Sequence, residues 1–242
     1  VVDHYGLDSK WEARIRPCAT RVMAIDDLAD RRHDCDLILD QNYYHDMETR
    51  YVSLVPEQCR VLAGPRFALL RPEFLHLRNS LRQRSGEIKR LLVFFGASDL
   101  TNETEKTLRA VTSYGKSELE VDVLIGVNNR HRDSIETMAA SMNNVTCYFH
   151  TPEAAYLMAA ADVYIGTPGT TTWERCCLGL PSVIITTDST QVNATINLAE
   201  KGVLYYLGHS EQVKESDIAS ILDYFSGNPS LLADFSRKSA EL

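Results

Sequence analysis

A segment rich in glycine and threonine holds the residues whose spacing best suggests phosphate chemistry. An apolar run precedes it and a helical pattern follows, so the segment is predicted to be a strand-to-helix loop. Glycines let the backbone approach a ligand closely, and N–H and hydroxyl groups at a helix N-terminus suit a diphosphate. A carboxylate one turn into the helix can accept hydrogen bonds from two ribose hydroxyls. The alternative is an ordinary capped turn, with Thr as the N-cap and Glu as a partner of the helix dipole. The residues are Gly166, Gly169, Thr170, Thr171, Thr172 and Glu174.

A second loop of similar type lies earlier in the chain. Gly96, Ala97, Ser98 and Asp99 follow the apolar run 91–95, and Asn102 begins a helical pattern. The N–H groups of this loop could line the other side of a pyrophosphate cleft. The alternative is that Asp99 or Thr101 simply caps the helix. Both loops follow strands of one predicted sheet, which favours a shared ligand.

Three other places carry groups that could act in catalysis or substrate binding. His4 and Tyr5 offer an imidazole and a phenol beside a turn, although a lone histidine is more often structural. Asp27, next to Asp26, could serve as an acid or base, or the two could cap a strand end. No third ligand is evident, so we predict no metal site. Gln191 opens a helix, where it either caps a turn or contacts a sugar.

Short apolar runs alternate with helical patterns along the chain. This alternation predicts an α/β fold with parallel, doubly wound sheets. The polar stretch 78–90 is expected to be helical. Strands are predicted over 21–25, 37–39, 91–95, 119–125, 145–149, 162–165, 182–186 and 203–206, and helices over 102–112, 153–160, 171–178 and 191–201, with a further helix around Ile135.

Composition limits the classes of partner. The 242 residues are 44% hydrophobic and carry a formal net charge of -8, which repels nucleic acid backbones and anionic membranes. No apolar run approaches the roughly 20 residues that a membrane span needs. The six cysteines form no Cys-x-x-Cys motif, which is typical of reduced thiols. We expect a cytoplasmic monomer with a small-molecule substrate and no nucleic-acid or membrane partner.

Two sets of motifs resemble known enzymes. Thr171–Glu174 with Gly179-Leu180-Pro181 resembles the nucleotide-binding signature of GT-B-type enzymes, in which a Glu five residues before Gly-Leu-Pro binds the ribose of UDP. A resemblance over nearly the whole chain is to the UDP-2,4-diacetamido-2,4,6-trideoxy-β-L-altropyranose hydrolases of pseudaminic acid biosynthesis, and to related spore-coat polysaccharide proteins. The motifs of this second resemblance are, in order, 2–6, 25–27, 35–39, 64–74 and 96–99 with Asn102.

The resemblance implies a GT-B-like architecture with two Rossmann-type sheets. Residues 1–87 would form the remainder of an N-terminal domain, with an incomplete sheet, plus an interdomain segment. Residues 88–242 would form the UDP-binding domain. The implied reaction is a metal-independent hydrolysis in which water attacks the anomeric carbon, UDP leaves and the configuration inverts, with no cofactor. The implied UDP contacts are Gly96, Ser98, Asp99, Gly169, Thr170, Thr171 and Glu174, the substrate contacts Asn102, Asp27 and Gln191, and the catalytic residues Tyr5 and His4.

The sequence departs from this family in two places. The presumed base of the family is a His in a Gly-rich loop that would precede Val1, and His4 does not lie in that motif. We therefore expect negligible turnover from these residues alone. Ala97 stands where the family more often has Gly. A UDP-sugar-dependent glycosyltransferase and a non-catalytic UDP-binding module remain the alternative functions.

Overall fold

Two parallel sheets organise the chain, each within its own unit. The computed structural model describes residues 1–242, and its contacts divide them into unit 1, Val1–Leu69, and unit 2, Leu70–Leu242. The predicted α/β class with two Rossmann-like sheets is confirmed. Residues 70–87, which the sequence analysis assigned to an interdomain segment, belong by their contacts to unit 2.

Unit 1 contains a four-stranded parallel sheet in the order β1-β2-β3-β4. Its core is formed by small and branched apolar side chains together with the buried ring of Tyr51. The single α-helix begins after Asp8, whose carboxylate accepts hydrogen bonds from the N–H groups of Lys10 and Trp11. The elements are β1 (Val2–Asp3), α1 (Ser9–Ile15), β2 (Met23–Ile25), β3 (Leu37–Asp40) and β4 (Arg60–Ala63).

Unit 2 contains a six-stranded parallel sheet with helices between successive strands. The elements are α2 (Pro72–Arg78), β5 (Arg90–Phe94), α3 (Glu103–Tyr114), β6 (Glu120–Ile125), α4 (Arg132–Ala140), β7 (Val145–Phe149), α5 (Ala154–Ala160), β8 (Val163–Gly166), α6 (Thr171–Cys177), β9 (Ser182–Thr186), α7 (Val192–Glu200), β10 (Tyr205–His209), α8 (Glu215–Gly227) and α9 (Pro229–Glu241). None of these helices combines the length and apolarity needed to cross a membrane.

The strand order of unit 2 is β10-β9-β8-β5-β6-β7. The chain therefore leaves β5 towards β6 on one side and later returns as β8 on the other side. Ligands of open α/β sheets bind at such a switch point, outside the carboxyl ends of the two strands. The central strands are buried on both faces, with Leu91, Val93 and Ile165 fully inaccessible, which explains their continuous apolar sequences.

The helix expected over residues 78–90 is wrong. The helix α2 ends at Arg78, residues 81–89 are extended or bent, and arginines at the end of α2 and within this segment bind carbonyls at the ends of other helices. Arg78 donates to the carbonyls of Cys177 and Ala240, and Arg82 donates to the carbonyl of Ala160. An extended segment can reach these separated helix ends, whereas one helix face could not.

Arg84 is the buried arginine of this extended segment. Its guanidinium donates to five carbonyls and has no carboxylate contact. The carbonyls lie in or just beyond the last turns of α5 and α6, where the backbone leaves negative partial charge. The acceptors are the carbonyls of Met158, Ala159, Ala161, Leu178 and Gly179. The arginine is therefore a positive cap shared by two helix C-termini.

Candidate functional site

The two loops singled out in the sequence lie side by side at the switch point of the six-stranded sheet. Phe94 at the end of β5 pairs in register with Gly166 at the end of β8. The N–H of Thr167 donates to the carbonyl of Phe94 at 3.3 Å, which ties the second loop to the end of β5. Both loops are thus held at one edge of one sheet, as the sequence analysis expected.

The loop before α6 presents free backbone donors. The N–H groups of Thr172 and Trp173 donate back to the carbonyls of Gly169 and Thr170, whereas the N–H groups of Gly169, Thr170 and Thr171 form no hydrogen bond within the protein. Gly169 has a φ of +117°, and a Cβ there would meet nothing within 4 Å. The loop therefore combines three unused donors with open space beside them.

Gly166 has a different reason to be glycine. A Cβ at this position would lie 1.9 Å from the carbonyl oxygen of Phe94 and 2.4 Å from the hydroxyl of Tyr164. The residue is buried, and its φ is not positive. It therefore allows close packing of β8 against β5, rather than the approach of a ligand.

The loop after β5 offers a second set of donors. The N–H groups of Gly96, Ala97 and Ser98 form no hydrogen bond within the protein, and Gly96 has a φ of +79°. The loop rests against Gly126, where a Cβ would lie 2.3 Å from the carbonyl oxygen of Gly96. Because Gly126 has no side chain, β6 can end directly beneath this loop.

The carboxylate of Asp99 caps α3. Its two oxygens accept hydrogen bonds from the N–H groups of Glu103 at 2.9 Å and Thr104 at 3.0 Å. Asn102 has a left-handed backbone, with φ of +59°, and its side chain donates to Glu105. These contacts match the capping alternative for the Asp99 side chain, which positions the loop from behind.

A cavity of about 260 Å³ adjoins both loops. Apolar groups from the ends of β5, β6 and α5 form much of its wall, and polar groups complete the lining. His150 in this lining has a φ of +46°, a conformation that non-glycine residues rarely adopt outside functional or tightly constrained sites. The polar lining residues are Arg71, Tyr148, His150, Thr151, Thr171 and Glu174.

Glu174 contributes a half-buried carboxylate to this cavity. Its side chain is 18% exposed, and its Oε1 lies 3.6 Å from Nη2 of Arg71, which also pairs with Glu73 at 2.8 Å. Burial raises the pKa of Glu174 above its ordinary value, and the charges of Arg71 and Arg175 offset part of this rise. The carboxylate is thus a strong acceptor with a single loose ionic contact.

Gln191 lies behind the loop that precedes α6. Its Oε1 accepts hydrogen bonds from the N–H of Thr187 at 3.2 Å and from the hydroxyl of Thr167 at 3.4 Å. The side-chain nitrogen of Gln191 has no protein acceptor, so it can donate to a ligand.

The remaining candidates lie in unit 1. Nδ1 of His4 accepts the N–H of Gly6 at 2.9 Å, and the neighbouring Tyr5 is exposed. Partial burial and the nearby Asp27 carboxylate raise the pKa of Tyr5. Asp27 accepts a hydrogen bond from the amide of Asn42 at 3.0 Å and has one buried oxygen without a partner. Tyr5 and Asp27 thus form one local group.

Asp26 serves the structure of unit 1. Its carboxylate contacts Arg31 at 2.6 Å and accepts hydrogen bonds from Ala29 and from the hydroxyl of Tyr51. No group of three or more His, Cys, Asp or Glu side chains is arranged to hold a metal ion.

No family model matches the chain. Over the residues that align, three curated relatives are 22% to 24% identical to it. UDP-2,4-diacetamido-2,4,6-trideoxy-β-L-altropyranose hydrolase of Campylobacter jejuni is 24% identical over 203 residues, which cover 84% of this chain and 71% of that protein. The spore coat polysaccharide biosynthesis protein SpsG of Bacillus subtilis is 23% identical over 72% of this chain and 51% of its own length. An uncharacterized protein of Methanocaldococcus jannaschii is 22% identical over 76% of this chain, which spans 39% of that protein.

Two solved structures align with a larger share of the chain than the sequence relatives do. MurG of Acinetobacter baumannii superposes with a TM-score of 0.63 at 12% identity, covering 96% of this chain and 65% of MurG. WaaG, a glycosyltransferase of lipopolysaccharide biosynthesis, gives a TM-score of 0.54 at 13% identity, covering 96% and 76%. UGT2 of Phytolacca americana, complexed with UDP-2-fluoro-glucose and pterostilbene, gives 0.55 at 15%, covering 86% and 47%. The fold is that of the GT-B glycosyltransferases.

Two residues beside the loops of this GT-B unit were missed in the sequence. Arg71 reaches Glu174 from the N-cap position of α2, and Arg175 lies buried beneath the loop before α6. Arg71 lies in the motif 64–74 of the resemblance, but nothing in its spacing relates it to Glu174. Arg175 directly follows Glu174, and only the buried orientation of its side chain distinguishes it from a surface arginine.

Proposed function

We propose that unit 2 binds the UDP portion of a nucleotide sugar at the switch point between β5 and β8. The observation that carries the proposal is the meeting of two donor-bearing loops beside a cavity that ends in a carboxylate. In this arrangement Gly96 and Ser98 on one side, and Gly169 to Thr171 on the other, donate N–H groups to the diphosphate. Asp99 fixes the first loop through its cap on α3.

The cavity suits the uridine. Its volume of about 260 Å³ and its apolar wall fit a flat base, with Tyr148 and His150 among the lining residues. Glu174 would accept hydrogen bonds from the ribose hydroxyls, and its contact with Arg71 would loosen or rearrange. The comparison with UGT2, which was solved with a UDP-sugar analogue, supports this choice of nucleotide.

We further propose hydrolysis of the C1–O bond of a UDP-linked diacetamido-trideoxy sugar, which yields UDP and the free sugar. This finer assignment is supported by the resemblance to the Campylobacter jejuni hydrolase, and the reaction would belong to pseudaminic acid biosynthesis. Water attacks C1 with inversion while the loop donors stabilise the departing diphosphate, a step that needs no metal. Asn102 and Gln191 are candidate sugar contacts, and Tyr5, His4 and Asp27 are the candidates for handling water or substrate.

Calorimetric titration tests the binding proposal. Wild-type protein should bind UDP and bind inorganic phosphate much more weakly. A preference for UDP over uridine would show that the loops hold the diphosphate. Equal weak binding of UDP and free phosphate would contradict a uridine cavity.

The second candidate is a glycosyltransferase, favoured by the structural similarity to WaaG. Negligible turnover is expected from residues 1–242 alone, so the two reactions are separated in an assay of UDP release by protein that also carries the Gly-rich loop with the presumed catalytic His. Release without any acceptor supports the hydrolase. Release that begins only when an acceptor sugar or lipid is added supports the transferase.

A further inference from the structure

Arg175 is a buried cation with only neutral partners. Its side chain is among the largest that are fully buried, at 1% exposure. One terminal nitrogen donates to the hydroxyl of Thr171 at 3.0 Å and more loosely to the carbonyl of Thr167 at 3.4 Å. The other donates to the hydroxyl of Thr172 at 3.1 Å, and Nε is buried without a partner. No carboxylate lies within 4 Å of the guanidinium.

No negatively charged group is in contact with this charge. The guanidinium carbon lies 4.1 Å from the ring centre of Tyr164. The hydroxyl of Tyr164 donates a hydrogen bond to the carbonyl of Phe94 at 2.6 Å. Burial raises the pKa of Tyr164, so the phenol stays neutral. Glu174 precedes Arg175 in the chain and interacts with its charge over a longer distance, but the ionic contact of Glu174 is with Arg71.

The other buried arginine, Arg84, has partners of a different kind. Arg84 is also buried, but it faces carbonyls at the ends of two helices, which offset its charge. Arg175 belongs to the last turn of α6, but its guanidinium reaches back to the hydroxyls of Thr171 and Thr172 in the first turn, away from such carbonyls. An uncompensated buried charge costs folding free energy. Its retention is explained if a ligand supplies the missing negative charge.

The hydroxyls that bind Arg175 connect the buried charge to the loop. Arginine has donors only, so the oxygen of Thr171 acts as an acceptor towards Arg175 and its own proton can be donated elsewhere. Thr171 is half-buried and lines the cavity, and its N–H belongs to the free donors of the loop. The hydroxyl of Thr171 therefore lies between the guanidinium of Arg175 and the surface at which the diphosphate is proposed to bind.

We propose that Arg175 is a positioning residue for the diphosphate. It supplies a permanent positive charge beneath the loop Gly169–Thr171 and orients the hydroxyl of Thr171 as a donor to phosphate. This inference rests on the proposed UDP function. The positive charge that attracts the diphosphate would then belong to a side chain that does not touch the ligand. Because water is excluded around the guanidinium, its attraction for the diphosphate is screened little.

Comparison of ligands that differ in phosphate charge tests the inference. Arg175→Met keeps a long side chain without the charge, and calorimetry compares UDP, UMP and uridine. We expect about 10-fold weaker UDP binding, a smaller loss for UMP, and uridine binding within about twofold of wild type. Arg175→Lys should restore most of the preference for UDP over uridine, since it restores the charge.

Control measurements separate this role from a structural one. Arg109→Met removes the same charge from the exposed face of α3 and should leave all three affinities unchanged. The melting temperature of Arg175→Met should be no lower than that of wild type, because the variant removes a buried charge that no carboxylate contacts. Equal losses for UDP and uridine, or unchanged UDP binding, would overturn the inference. So would failure of both Arg175→Met and Arg175→Gln to fold, because the fold would then require the guanidinium.

The inference and the proposed function can fail separately. Wild-type protein that binds no UDP refutes the proposed function. Inorganic pyrophosphate then serves as the probe: binding that Arg175→Met weakens would still support the charge beneath the loop, and binding that is insensitive to this variant would refute it.

Discussion

Replacing Glu174 by alanine tests the orientation of the nucleotide in the cavity. The carboxylate is mostly shielded from water, and its one ionic contact, with Arg71, is long at 3.6 Å. It is therefore free to accept two ribose hydroxyls. Each hydrogen bond to a charged acceptor contributes about 1.5–3 kcal/mol, and loss of the contact with Arg71 on binding offsets part of this gain. Glu174→Ala should cost about 2–4 kcal/mol of UDP binding, or roughly 30-fold to several hundred-fold in Kd.

The assay pairs the protein variant with a change in the ligand. Calorimetry with UDP and with 2′-deoxy-UDP gives a double-mutant cycle between Glu174 and the ribose. Wild-type protein should lose affinity when the 2′-hydroxyl is removed, whereas Glu174→Ala should not distinguish the two ligands. The matched control is Glu73→Ala, which removes the other carboxylate bound to Arg71 and should leave the distinction intact.

Two results would refute this reasoning. If Glu174→Ala binds UDP as tightly as wild type does, the ribose is held elsewhere. If the variant weakens inorganic pyrophosphate as much as UDP, Glu174 supports the loop rather than the ribose. In either case the cavity would need another ligand orientation.

Three further predictions concern stability and loop packing. Burial raises the pKa of Asp40 from 3.8 to about 6. The free energy of unfolding is therefore highest while Asp40 is protonated, below about pH 4, and falls as the pH rises through 6. Urea unfolding of Asp40→Asn should therefore lose roughly 3 kcal/mol of pH dependence relative to wild type, and identical pH profiles would contradict it. Arg84→Met should lower the free energy of unfolding by about 3 kcal/mol or more, because buried carbonyls lose their donor, and an unchanged urea midpoint would show that they are satisfied otherwise. Gly126→Ala should weaken UDP binding at least about 10-fold by displacing the loop at Gly96, whereas Gly227→Ala, with open space around its Cβ, should bind normally, and equal affinities would refute this steric account.

Local sequence patterns were sufficient to predict the second sheet. The strands 145–149 and 182–186 have the predicted bounds. Strand 182–186 is buried throughout, as its continuous apolar run predicts, whereas 145–149 is the partly exposed edge strand β7. The two loops of interest could also be found, since each follows such a run. Their adjacency depends on the return of β8 beside β5, and the spacing of motifs along the chain only suggested it.

Long-range contacts of charged side chains explain what the sequence did not predict. The stretch 78–90 has a helix-like composition, but its arginines bind carbonyls of α5 and α6, about 75 to 95 residues away in the chain. Asp99 could be a ligand contact or a helix cap on sequence grounds, and only its two backbone donors decide for the cap. The role of Arg175 depends on its burial, which no local pattern in α6 reveals.

The two buried arginines show how one sheet separates stability from binding. At one edge Arg84 meets helix carbonyls, so the charge stabilises the ends of α5 and α6 in the absence of any ligand. At the carboxyl edge Arg175 contacts only hydroxyls, a carbonyl and an aromatic face, so its charge has no carboxylate in contact with it. The fold thus keeps one guanidinium satisfied and leaves the other beneath a loop with three free N–H donors. An anion at that loop would complete the electrostatics that the protein alone leaves unbalanced.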